Sequence, residues 1–181
     1  MKKYGLLKFF IILIVAYFAI PFFKELYLKP STGSGENIRD FSATLADGTP
    51  FKLSDLQGKY VLLDFWGSWC GPCIKEMPEV KNLYAQYGQA KFKKADGFTI
   101  VSVAVEQKPA RWERALERFQ MPWEYQILDQ ATSLRFFDSP IAEIYGVKQV
   151  PTKFLIDEKG EIIGVDQPFE KIIAFLEKNK K

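Results

Sequence analysis

The chain of 181 residues contains no histidine and only two cysteines. A structural zinc site takes four ligands, usually Cys or His, so that donor set is missing. A lipoprotein anchor would need a cysteine near the start, and the first one is Cys70. Internal repeats and low-complexity tracts are absent as well. Excess charge is scarce. The chain nets +3, and Lys2, Lys3 and Lys8 supply it, with no acid before Lys24. The remaining 22 basic residues equal the 22 acidic ones. A balanced domain lacks the electrostatic footprint of a nucleic-acid binder. The short run Lys91-Phe92-Lys93-Lys94, offset by Asp96, reads as a solvated loop.

Both cysteines fall in Trp69-Cys70-Gly71-Pro72-Cys73. The run before them, Tyr60 to Trp66, is β-branched and aromatic enough for a buried strand. The run after them, Ile74 to about Ala90, is helix-like, with Pro78 as an early kink. A thiol at that junction lies over exposed backbone N–H groups and the positive end of the helix dipole, which stabilise thiolate. Two other uses of the pair compete. A static disulfide across so short a loop removes little chain entropy and would be a poor staple. An inert buried pair is disfavoured by the Gly-Pro turn, which holds the sulfurs within bonding range. Cys-x-x-Cys beside a βαβ pattern points to redox chemistry.

Further strands are expected at Thr99–Val105 and Tyr125–Leu128, and helices at Ala110–Phe119, Ile141–Tyr145 and Phe169–Lys178. Strands and helices alternate and end in a tight hairpin, which signals α/β with a mixed sheet. About 145 residues suffice for one domain with a proper core. Ahead of it, Leu6 to Phe23 is almost wholly apolar. About 18 residues at 1.5 Å rise span roughly 27 Å, close to a hydrocarbon core. Basic residues precede this segment, and positive charge stays inside, so the domain should lie outside the cytoplasm. The expected organisation is an anchor over 1–23, a linker over 24–36 and a domain over 37–181. A cleaved secretory signal is the competing view, although Pro21-Phe22-Phe23-Lys24 lacks small residues for cleavage.

From Asn37 onward the sequence resembles the thioredoxin fold, specifically the membrane-anchored thiol-disulfide oxidoreductases of the ResA/TlpA type. Asp40–Leu45, Asp47-Gly48 and Phe51–Leu53 resemble the N-terminal β-hairpin which that family adds to its core. Phe65–Cys73 and Glu76-Met77-Pro78 resemble its active-site segment. Tyr145–Thr152 is similar to the segment carrying its cis-proline, and Phe154–Asp157 with Glu161–Gly164 to its closing hairpin. The implied fold is a mixed central sheet flanked by helices, with the added hairpin, behind one transmembrane helix.

The resemblance implies that Cys70 attacks a substrate disulfide and Cys73 resolves the mixed disulfide. It implies a cis bond before Pro151, leaving the Val150 backbone free to pair with an extended substrate. Gly71-Pro72 is the dipeptide of thioredoxin itself and implies a reductant. Asp64 stands where thioredoxin has its buried acid, and could take the Cys73 proton; an ordinary strand acid is the alternative. Glu76, one turn beyond Cys73, either influences thiol ionisation or simply complements the helix dipole. Trp69 shapes the site, and Trp66 joins it or belongs to the core.

The implied activity is reduction of protein disulfides, apocytochrome c among the possible substrates, in the bacterial cell membrane with the domain on the periplasmic side. Electrons would come from a membrane or envelope donor. No cofactor or metal is expected. An oxidase or isomerase of the same fold and a peptide-binding holdase remain open. A copper-delivery role needs Cys-x-x-x-Cys plus a His, and the chain has neither.

Overall fold

The computed structural model describes residues 3–134 and 137–181. Helix α1 (Lys3–Leu28) takes in the apolar run and continues past Phe23 into the stretch expected to be linker. It stops just before Pro30, whose ring disfavours helical geometry at Lys29. Within it, Lys8–Leu28 is long and apolar enough to cross a membrane, and none of that segment is buried against the domain.

The Pro- and Gly-containing stretch that follows is tied down at its end. Thr32 is fully enclosed, and the Gly35 and Ile38 N–H groups donate to the Ile162 and Gly160 carbonyls at 2.8 Å. The domain proper opens with a separate antiparallel pair, β1 (Ser42–Thr44) and β2 (Pro50–Lys52), followed by a 3-10 turn over Leu53–Leu56.

The main sheet comprises β3 (Tyr60–Trp66), β4 (Phe98–Glu106), β5 (Tyr125–Gln130), β6 (Thr152–Ile156) and β7 (Ile162–Val165). Their order is β5-β4-β3-β6-β7. β3, β4 and β5 run parallel, whereas β6 and β7 are antiparallel to their neighbours. Four helices complete the domain: α2 (Gly71–Tyr87), α3 (Pro109–Phe119), α4 (Pro140–Tyr145) and α5 (Phe169–Asn179).

Alternation along β3 splits the interior into two layers. Val61, Leu63 and Phe65 face the β1–β2 pair and α4, among Phe41, Phe51, Ile141 and Tyr145. Tyr60, Leu62 and Trp66 face α2 and α5, among Met77, Leu83, Ile172 and Leu176. Both faces of the central strand are covered, which is why its whole length is apolar except at Asp64. Helix α4 takes its start from a distant acid. Asp129 accepts from the Ser139 hydroxyl at 2.7 Å and from the Ala142 N–H at 2.8 Å.

Candidate active site

β3 delivers the chain to the carboxyl end of the sheet at Trp66, and the redox segment turns there into α2. The helix starts at Gly71, three residues earlier than the apolar pattern suggests, and ends at Tyr87, before the expected Ala90. Pro72 explains the early start. Its fixed φ suits the first turn, and its missing N–H is not needed there. The helix passes through Pro78 without ending.

Cys70 is the N-cap of α2, and its Sγ accepts the Cys73 N–H at 3.1 Å. Cys70 and Cys73 are joined by a disulfide, with Cα atoms 5.3 Å apart. The Cys70 Sγ also lies 3.6 Å from the Val150 carbonyl oxygen, and the Val150–Pro151 bond is cis. Exposure does not separate the two sulfurs, since each residue is 4% exposed. Position does: Cys70 caps the helix, where the unpaired N–H groups favour a thiolate.

The loop before Cys70 is held from β4. The Ser68 N–H donates to Glu106 Oε1 at 2.5 Å, and the Trp69 indole N–H donates to the Val105 carbonyl at 2.9 Å. Gly67 permits that second bond. A Cβ there would stand 2.6 Å from the Trp69 Nε1. Trp69 is 37% exposed beside the disulfide, with its ring centroid 6.1 Å from that of Phe137. Trp66, by contrast, is core, packed edge-on against Phe119.

Asp64 lies on the face of β3 that α2 covers and is 4% exposed. Burial pushes its carboxyl up to about 7; the Lys153 ammonium pulls it down, and the Glu76 and Asp166 carboxylates push it further up. Lys153 is its register partner on β6 and is 6% exposed. Its Nζ sits 2.6 Å from Glu76 Oε2, and its backbone N–H donates to Asp166 Oδ1 at 2.7 Å. Asp166 is likewise raised by burial, against the opposing pull of Lys153.

The fold thus brings together Cys70, Cys73, Trp69, Gly71, Pro72, Val150 and Pro151 at one end of the sheet. Asp64 and Glu76 join them through Lys153. Sequence reasoning missed Lys153, Asp166 and Glu106. A lysine inside an otherwise apolar strand, two residues after Pro151, was the available signal, because lysine is almost never enclosed unpaired.

The profile described as Redoxin matches residues 33–177, spanning the anchored sulfur pair, the cis-proline loop and both hairpins. This chain belongs to the Redoxin family. Among its relatives, the thiol-disulfide oxidoreductase ResA of Geobacillus kaustophilus is 36% identical over 141 residues, covering 78% of this chain and 71% of the relative. The ResA protein of Bacillus cereus is 31% identical over 186 residues and covers 98% of both chains, the apolar helix included.

Solved structures agree on the fold. The thioredoxin domain of a thiol-disulfide oxidoreductase from Bacteroides vulgatus superposes with a TM-score of 0.66 at 27% identity, over 81% of this chain and 99% of that one. A thiol-disulfide oxidoreductase from Bacteroides fragilis gives 0.67 at 26% identity, over 79% and 98%. With its bonded Cys70–Cys73 pair, this Redoxin-family chain is a thiol-disulfide oxidoreductase with a thioredoxin-like α/β fold and an N-terminal membrane-anchor candidate.

Proposed function

We propose that the protein reduces disulfides of client proteins outside the cytoplasm, with Cys70 as nucleophile and Cys73 as resolving thiol. The observation that carries this is Cys70 at the α2 N-cap, its sulfur facing both a helical N–H and the carbonyl before cis-Pro151. In the reduced enzyme the Cys70 thiolate attacks a client disulfide. A new S–S bond forms to one client sulfur while the other leaves as thiolate and takes a proton. Cys73 then loses its proton, attacks the Cys70 sulfur, and releases the second client thiol. Two electrons have passed to the client, and the pair is left bonded, the state observed here.

Asp64 is the proton acceptor for Cys73 in this scheme. A carboxyl near neutrality holds or releases a proton at working pH, as a general base should. Glu76 acts through Lys153, fixing the ammonium that sets the charge around Asp64. The Val150 backbone pairs with an extended client segment. Gly71-Pro72 supports the reducing direction. Lys2, Lys3 and Lys8, at the start of the apolar run, support a single-pass anchor over about residues 1–23, a linker to residue 36 and a domain held outside.

Two experiments test this. Cys73→Ser should accumulate mixed disulfides with clients, resolved on non-reducing gels and identified by mass spectrometry, whereas Cys70→Ser should yield none and lose turnover. Unchanged turnover in either variant refutes the assignment. The potential of the pair fixes the direction. A value towards about −270 mV fits a reductant, and one near about −120 mV would make the enzyme an oxidant.

A further inference from the structure

We propose that the groove between α3 and the loop ahead of Cys70 is a docking site for an acidic segment of the client protein. The proposal rests on the reductase reading above and adds a class of client to it. The groove encloses about 580 Å3, between Ser68 on one wall and Arg111, Arg114 and Arg118 on the other, with Phe119 along it. The three arginines follow an i, i+3, i+7 spacing, so they share one face of α3. Ala115, small and buried between them, leaves the space open.

The arginines form no ion pair, although the Arg118 guanidinium lies over the Phe119 ring, 5.2 Å from its centroid. Among the described residues no carboxylate lies within ion-pair distance of any of them, since the pairs formed involve Arg39, Lys52, Lys153 and Lys180. Glu117 is the acid lining the groove, which leaves it two positive charges in excess. Glu106 lies below the Ser68 wall but is enclosed, with one oxygen given to the Ser68 N–H. Beyond the anchor, basic and acidic residues balance, so this local excess stands apart from its surroundings.

Place matters as much as sign. Ser68 is two residues from Cys70, and Phe119 packs against Trp66 on the same face as the thiols. A client segment in the groove therefore runs beside the sulfur that attacks. Guanidinium groups match carboxylates in a fork geometry, so several acidic side chains would be held in register. Helix α3 packs on β4 and β5, to one side of β3, whereas the cis-proline loop leads into β6 on its other side. The groove can therefore add to backbone pairing at Val150 without competing with it.

The test uses the full chain in neutral detergent and two disulfide-bonded peptides, one flanked by Asp and Glu and one by Ser and Gly. The wild type should reduce the acidic peptide with a KM about three- to tenfold lower and an equal kcat, as two or three exposed ion pairs allow. Arg111→Gln/Arg114→Gln/Arg118→Gln should abolish that preference and leave the neutral peptide unaffected. In the wild type the preference should also shrink as salt rises from about 0.02 M to about 0.5 M, through screening. Equal KM values in the wild type, or a preference that survives in the triple variant, would overturn the docking site alone. Failure to reduce either peptide would overturn the reductase reading and the docking site with it.

Discussion

Replacing Asp64 with Asn should flatten the dependence of folding stability on pH while keeping the shape of the side chain. In the folded chain this carboxyl is raised from 3.8 to about 7, chiefly by burial. Below pH 3.8 both folded and unfolded chains hold the proton, and the site costs nothing. As pH rises, the unfolded chain releases its proton first while the folded chain keeps it, so stability falls through the window from 3.8 to about 7. Above that window the loss is complete. At 1.36 kcal/mol per pKa unit it amounts to about 4 kcal/mol. Between pH 5 and pH 8.5 the same relation gives a loss of about 2–3 kcal/mol. The Asn variant has no such loss, and groups common to both chains cancel in the difference. Urea unfolding of the oxidised full chain, followed by tryptophan fluorescence, reads the domain, because all four tryptophans lie between Trp66 and Trp123. The variant should gain about 2–3 kcal/mol on the wild type across those two pH values. Parallel profiles would show that Asp64 is not the buried titrating group.

Three further outcomes are expected. In rapid-mixing kinetics at pH 7, Asp64→Asn should slow resolution of the mixed disulfide and leave the first attack largely intact; equal slowing of both steps would remove the relay role. Lys153→Met should move the Asp64 carboxyl above about 7, because the lost ammonium is what holds it down. A carbon-13 titration of that carboxyl would read the change, and a downward shift would contradict the arrangement. Asp129→Ala strips the buried acceptor from Ser139 and from the start of α4, which should cost about 2 kcal/mol in urea unfolding; a loss near zero would mean that water replaces it.

The sulfur pair, its place between strand and helix, and the alternating faces of β3 could all be read locally. Tyr60 to Trp66 announces a strand, and counting by twos from Leu62 puts Asp64 and Trp66 on one side. One reading was displaced and two features went unread, for different physical reasons. The start of α2 was displaced because Gly71-Pro72 looks like a turn, although Pro72 is also a good first-turn residue. The Gly35 N–H pairs with Ile162 of β7 and the Ile38 N–H with Gly160 in the turn before it, some 125 residues away, and no local pattern encodes that. Lys153 escaped because its partners are set by the antiparallel register of β6 on β3 and by the turn leading to Asp166. The cis bond at Pro151 was legible only through family likeness, since nothing in the local residues distinguishes it from an ordinary X–Pro bond.

The absence of histidine and the enclosure of Asp64 meet in one consequence. Imidazole is the usual side chain that titrates around neutrality, and here burial brings a carboxylic acid, enclosed beside a lysine, up towards that range. Where that acid titrates is therefore a property of the fold rather than of the residue. Loosening the packing around β3 and β6 would return the acid to its ordinary range, so its protonation reports on how tightly those two strands are enclosed.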